Sequence, residues 1–119
     1  MPDERPDTLE AFRHFREKMN AAILAADHLT IKRFFALDER VYADGALPAR
    51  TKELLGLVAS LVLRCDDCVT YHLVRCREEG VSDAELFDAF SVALVVGGSI
   101  VIPHLRGAVA RLEELPHGP

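Results

Sequence analysis

The sequence predicts an all-α fold of about six helices, because apolar residues recur at spacings of three and four along almost the whole chain while strand-like alternation is close to absent. Proline, glycine and capping residues mark the breaks between these stretches. With 119 residues, half of them apolar, the chain supports one core of ordinary size, so residues 1–119 are expected to form a single domain.

Asp7, followed by Glu10 three residues on, has the form of a capping box, and Leu9, Phe12, Phe15, Met19 and Ile23 form the stripe of a first helix ending near Ala26 or Asp27. A second helix, roughly Thr30 to Tyr42, carries Ile31, Phe34, Phe35, Leu37 and Val41 and stops at the Asp44-Gly45 turn. Pro48 suits the first position of a third helix reaching about Leu63. Leu54, Leu55, Leu57, Val58, Leu61 and Val62 are so dense there that burial on most sides is expected. No glycine or proline separates Leu57 from Glu79, which permits one long helix. The expectation is nevertheless a break near Arg64, since Asp66 or Asp67 can cap a fourth helix that ends at Gly80. Ser82 with Glu85 is a capping box for a fifth helix, closed by Gly97-Gly98, and Pro103 lies near the start of a sixth reaching about Leu115.

Charge and composition narrow the function classes. The 14 basic and 19 acidic residues leave a net charge of −5 with no basic run, which argues against a nucleic-acid partner. The opening residues MPDERPDTLE lack the basic-then-apolar pattern of a secretory signal. The longest apolar stretch, Ala89 to Ile102, is interrupted by Ser91, Gly97, Gly98 and Ser99 and falls short of a membrane span. The expected location is the cytoplasm, with no membrane partner. Three cysteines do not suggest a secreted disulfide scaffold, and a C-x-x-C in a reducing compartment is more often catalytic or metal-binding.

Cys65-Asp66-Asp67-Cys68 is that motif, with His72 four residues beyond the second cysteine. At a helix start such a pair can close a small disulfide loop, and the helix N-terminus favours thiolate over thiol. Cys68 and His72 share a face at i and i+4, so the imidazole can serve Cys68 as proton acceptor and donor while Cys65 resolves. Glu53 precedes Cys65 by twelve residues, about 18 Å along a continuous helix and out of reach. A reversal near Arg64 makes the two arms nearly equal and lets the carboxylate approach His72, forming a relay from Glu53 through His72 to Cys68. A metal site is geometrically poor, because Cys65, Cys68, His72 and Cys76 rise over about 16 Å of helix and cannot surround one zinc. No metal or bound cofactor is expected. Asp66 and Asp67 disfavour thiolate and read best as helix caps, Tyr71 as packing or a hydrogen-bond donor, and Cys76 as a buried structural thiol. His14, His28, His104 and His117 read as ordinary surface or packing residues.

At these residues the chain resembles the carboxymuconolactone decarboxylase and alkylhydroperoxidase D-like superfamily, over roughly Leu47 to Arg106. The resemblance rests on Leu47-Pro48-Ala49-Arg50-Thr51-Lys52-Glu53-Leu54, the Cys65 to His72 motif, Gly80-Val81-Ser82-Asp83-Ala84-Glu85 and Gly97-Gly98. It implies an all-α fold assembled as trimers or hexamers. It also implies that Cys68 attacks peroxide, Cys65 resolves, and His72 with Glu53 relays the proton, with electrons from a dithiol or lipoyl-bearing partner. One departure stands out: peroxidase members carry a histidine immediately before the second cysteine, where this chain has Asp67. The decarboxylase branch usually lacks the cysteine pair.

The resulting expectation is a thiol-dependent peroxidase that reduces small hydroperoxides. Two other readings stand beside it: a cofactor-free decarboxylase using His72 and Glu53 on a small organic acid, and a non-enzymatic redox-sensing oligomer. The apolar third helix and the segment from Val92 to Ile102 carry more apolar surface than one small core covers, so a homo-oligomer is expected.

Overall fold

The computed structural model describes residues 8–116. It contains six α-helices, and no strand among the described residues. Contacts divide the chain into two units, residues 1–43 and 44–119.

The first unit holds α1 (Leu9–Ala25) and α2 (Leu29–Val41). The α1 cap is Thr8, whose Oγ1 accepts the Ala11 amide at 3.1 Å; the capping expected of Asp7 lies outside the described residues. Of the anticipated stripe only Leu9 and Phe12 are buried, while Phe15, Met19 and Ile23 are exposed. His28 caps α2 by accepting the Ile31 amide at its Nδ1, a role the sequence reading did not assign. No residue of α2 is buried, and Ile31, Phe34, Leu37 and Val41 all face solvent.

The second unit comprises α3 (Ala49–Leu63), α4 (Asp66–Glu78), α5 (Asp83–Gly97), a 3-10 turn (Ser99–Val101) and α6 (Ile102–Glu114). α3 packs against both α4 and α5, and α6 packs on α4. Asp44 at the predicted turn accepts the Ala49 amide at 2.7 Å, which satisfies a free donor at the start of α3. Pro48 sits one residue before the helix rather than in its first turn.

The break between α3 and α4 falls at Arg64, as expected, by a mechanism the sequence does not announce. Arg64 adopts the left-handed conformation (φ 61°, ψ 40°), its amide donates to Leu61 O at 3.0 Å, and the Cys65 amide donates to Ser60 O at 3.0 Å. This paired closure is a Schellman motif with arginine where glycine is commoner. The cap of α4 is neither Asp66 nor Asp67 but Cys65, whose Sγ accepts the Cys68 amide at 3.3 Å. The two aspartates occupy the first turn, where carboxylates complement the helix dipole. α4 ends in a second Schellman motif at Gly80 (φ 81°), with Gly80 N–H to Arg77 O and Val81 N–H to Cys76 O. The Ser82–Glu85 capping box is present in both directions, and Gly97-Gly98 ends α5.

The core of this unit includes Leu57, Leu61, Leu73, Val81, Leu86 and Phe90, each 2% exposed or less. Side chains of this size contribute about 1.5–3 kcal/mol each on full burial. α3 departs from the expectation of burial on most sides. Its inner face holds Glu53, Leu57, Ser60 and Leu61, whereas Leu55 and Leu63 are exposed. The outer face of α3 and the adjoining side of α5 line an open apolar groove of about 500 Å³, with Leu54, Val58, Val62, Val92 and Val96 among its walls.

Candidate functional site

The candidate site lies where α3 and α4 pack against each other. α3 turns Glu53 inward among leucines, the Arg64 closure reverses the chain, and α4 then runs back carrying Cys68 in its first turn and His72 one turn further. Glu53 is fully buried and His72 is 7% exposed. His72 Nδ1–H donates to Glu53 Oε1 at 2.8 Å, across nineteen residues of chain. Because an ionised carboxylate only accepts, this bond holds the ring proton on Nδ1 and makes Nε2 the basic nitrogen.

Two further residues hold this pair, and neither was singled out from sequence. Arg75, one turn beyond His72, brings Nε to 3.4 Å from Glu53 Oε2 and binds Glu78 and Glu79 through its other nitrogens. The contact to Oε2 is an ion pair without hydrogen-bond geometry, so that oxygen has no hydrogen bond among the described residues. The hydrogen bond to Glu78 holds the Arg75 guanidinium above its ordinary pKa, with the Glu53 charge adding to the effect against partial burial. The spacing of Arg75, three after His72, was the available signal. Gly56 is the second residue. A Cβ placed on it would lie 2.6–2.9 Å from Cε1, Nε2 and Nδ1 of His72, so the imidazole face rests against the α3 backbone. Tyr71 meets the same ring edge-on, with centroids 5.2 Å apart.

The cysteines stand at the start of α4, Cys65 as its cap and Cys68 in its first turn. Cys65 and Cys68 are joined in a disulfide with Cα atoms 5.3 Å apart; Cys68 is exposed and Cys65 half-buried. Cys76 is free and fully buried. Burial, reinforced by the Glu53 charge, pushes its thiol up to about 12, so it stays protonated at neutral pH. His104 enters from α6, where its Nδ1–H donates to Asp66 Oδ1 at 2.7 Å. Sequence held no sign of this pairing, because the partners are 38 residues apart and on different helices.

The geometry thus pairs Glu53 with His72 and Cys65 with Cys68, with Gly56 and Arg75 against the first pair and the Asp66–His104 contact beside the second in the first turn of α4. The class of protein defined here is an all-α fold in which one helix carries a C-x-x-C at its start and an imidazole one turn on, and the preceding helix supplies the buried carboxylate that the imidazole meets. Residues 28–111 match the carboxymuconolactone decarboxylase family, and the chain belongs to that family.

Its relatives fit this assignment. The chain is 34% identical over 82 residues to uncharacterized protein 4 in the cox locus of Paracoccus denitrificans, covering 69% of this chain and 74% of that one. A Thermotoga maritima protein superposes with a TM-score of 0.84 at 61% identity, over 87% of this chain and 90% of the other. A second structure of that protein, at a TM-score of 0.72 and 68% identity over 73% of this chain and 90% of the other, is described as a carboxymuconolactone decarboxylase family protein with a suggested part in the antioxidative response. The apo form of a Legionella pneumophila family member, 21% identical with a TM-score of 0.82 over 92% of this chain and 97% of the other, shares the fold.

Proposed function

We propose that the protein is a thiol-dependent peroxidase in which Cys65 and Cys68 cycle between dithiol and disulfide. The observation that carries this reading is the buried Glu53–His72 hydrogen bond of 2.8 Å, set one helical turn behind Cys68. Glu53 orients the imidazole, and Nε2 takes the Cys68 proton as the thiolate forms. The thiolate then attacks the distal peroxide oxygen: an S–O bond forms, the O–O bond breaks, and the alcohol departs with the proton held by His72. Cys65 displaces hydroxide from the Cys68 sulfenic acid, forming the disulfide and water. An external dithiol, such as a lipoyl group on a partner protein, supplies two electrons to reopen it.

The substrate class is a small organic hydroperoxide, and the working form is a homo-oligomer, trimer or hexamer. What supports an oligomer is the exposed apolar surface: Leu63, a wall of the α3–α5 groove, is 76% exposed, and Val95 of α5 is 83% exposed. Hydroperoxide consumption with excess dithiol tests the reading. Turnover in the native protein that disappears in Cys68→Ser and falls strongly in His72→Ala is the expected result; a native protein without turnover, whose disulfide still opens and closes, would sink it.

A further inference from the structure

We propose that the reducing thiol attacks Cys68 and that Cys65 is the sulfur released, as a thiolate held by the N-terminus of α4 and supported by His104. This inference rests on the thiol cycle above and assigns its reductive half to particular atoms.

Access decides the first part. Displacement at a disulfide needs an approach to one sulfur, and Cys68 is the exposed member of the pair while Cys65 is half-buried. Leaving-group stability decides the second. Cys65 is the cap residue of a thirteen-residue helix, and its Sγ already accepts the Cys68 amide at 3.3 Å while bonded in the disulfide. Negative charge on that sulfur converts the contact into a charge-assisted hydrogen bond at the positive end of the helix dipole. Cys68, at the third helical position, contributes that amide rather than receiving one from the motif. The sulfur that is the better thiolate leaves faster.

Asp66 and Asp67 oppose this arrangement, since carboxylates beside a thiolate disfavour it. The structure answers at one of them. Asp66, adjacent to Cys65, accepts the Nδ1–H of His104 from α6 at 2.7 Å, which spends part of its charge on the imidazole. Asp67 is exposed, as is Arg64 on the other side of Cys65, while His72 lies buried one turn beyond Cys68. The two imidazoles therefore divide the motif: His72 with Glu53 serves the Cys68 side, and His104 with Asp66 serves the Cys65 side.

The electron count closes. A donor thiolate forms a bond to Cys68 Sγ as the Cys65–Cys68 bond breaks, and Cys65 leaves with the electron pair. The second donor thiol then attacks the donor sulfur of the mixed disulfide, producing the oxidised donor and a Cys68 thiolate that takes its proton from His72 or solvent. The same asymmetry runs in reverse when Cys65 attacks the Cys68 sulfenic acid. Cys68 is thus the sulfur that meets outside molecules, and Cys65 is the one that arrives at it and departs from it.

Two readouts test this without requiring peroxide turnover, so they separate it from failure of the peroxidase reading. In the first, oxidised native protein is mixed with 2-mercaptoethanol, quenched in acid at early times, and the adduct located by fragment-ion mass spectrometry. In the second, thiolate absorbance is followed against pH for reduced Cys68→Ser, which retains Cys65, and reduced Cys65→Ser, which retains Cys68. The expected results are an adduct on Cys68 and a Cys65 thiolate that forms about one pH unit below that of Cys68. Adding His104→Ala to Cys68→Ser should raise the Cys65 transition by about half a pH unit, with a smaller change when it is added to Cys65→Ser. An adduct on Cys65, or a Cys68 thiolate that forms at equal or lower pH, overturns the proposal. An unmoved Cys65 transition in the His104 variant overturns the part given to His104.

Discussion

The imidazole face of His72 lies on the backbone of Gly56, so closely that a single added methyl group would fall 2.6 Å from Cε1 and 2.7 Å from Nε2. Glu53, Gly56 and Ser60 lie along the α3 face that α4 covers, and the missing side chain at Gly56 makes room for the ring. The hydrogen bond to Glu53 and the contact with Gly56 together fix where Nε2 points. The site is therefore a product of helix packing as much as of its titratable groups.

Gly56→Ala should displace His72 from Glu53 while leaving the protein folded. Alanine improves helix propensity by about 1 kcal/mol, and the clashing atoms belong to the end of one side chain. Hydroperoxide reduction should fall by roughly tenfold to a hundredfold, the cost of misplacing a catalytic group by about 1 Å. Combining the change with His72→Ala should cost nothing beyond the loss from His72→Ala alone. Kinetics on the single and double variants check this, and additive losses would show that Gly56 acts elsewhere.

Replacing the buried carboxylate should separate its two roles. Glu53→Gln keeps the shape but loses the charge that orients the His72 proton, so turnover should drop by about a hundredfold with a stability change within about 1–2 kcal/mol. Glu53→Ala also leaves a cavity and uncouples Arg75 from the core, and should cost about 2–4 kcal/mol in denaturant unfolding. Equal stability of the two variants would contradict this account.

Cys76 should be silent toward alkylating agents until the protein unfolds. Its burial and its thiol pKa of about 12 leave neither access nor thiolate at pH 8. Reduced native protein should take up label only at Cys65 and Cys68, with the third site appearing in denaturant. The same shift sets a pH dependence: the unfolded chain loses this proton near 9 and the folded one near 12, so stability contributed by Cys76 should decline as pH rises across that interval. Cys76→Ala should flatten that alkaline decline in an unfolding series.

At the acid end, the Glu85 carboxyl is the group to watch. The Arg50 guanidinium, with the Ser82 amide and hydroxyl, lowers it to about 2 from an ordinary 4.5. A depressed carboxylate adds stability above its unfolded value and loses it as pH falls through the folded one. Melting temperature should therefore fall between pH 4.5 and about 2, and fall less steeply in Glu85→Gln. Parallel profiles for the two proteins would remove Glu85 from the account.

Light scattering on the intact protein should report a mass above that of one chain. A charge placed in the exposed apolar surface, as in Val95→Glu or Leu63→Glu, should reduce that mass with little loss of monomer stability, because both side chains are more than three-quarters exposed in the single chain. A monomeric native protein at micromolar concentration would contradict the oligomer.

Much of this was legible in the chain because helix ends and within-helix spacings are local. Ser82 with Glu85 can cap only the helix that follows them, Gly80 can supply the left-handed residue only where it stands, and Cys68 and His72 share a face wherever that segment is helical. Even the break near Arg64 followed from capping chemistry, although the cap itself proved to be the Cys65 sulfur rather than an aspartate. The burial of α3 was misread because leucine density reports apolar content and not which neighbour covers it. Leu55 and Leu63 are as apolar as Leu57 and Leu61, and face outward.

The sequence by itself determined the helices, their ends, and the register of the cysteines with His72, since each depends on backbone geometry within a few residues. Only the tertiary structure decided that Glu53 meets Nδ1 of His72, that Gly56 seats the ring, that Arg75 stands behind the carboxylate, and that His104 reaches Asp66. Those contacts depend on how one helix turns back along another, and side-chain packing between elements sets that angle and offset.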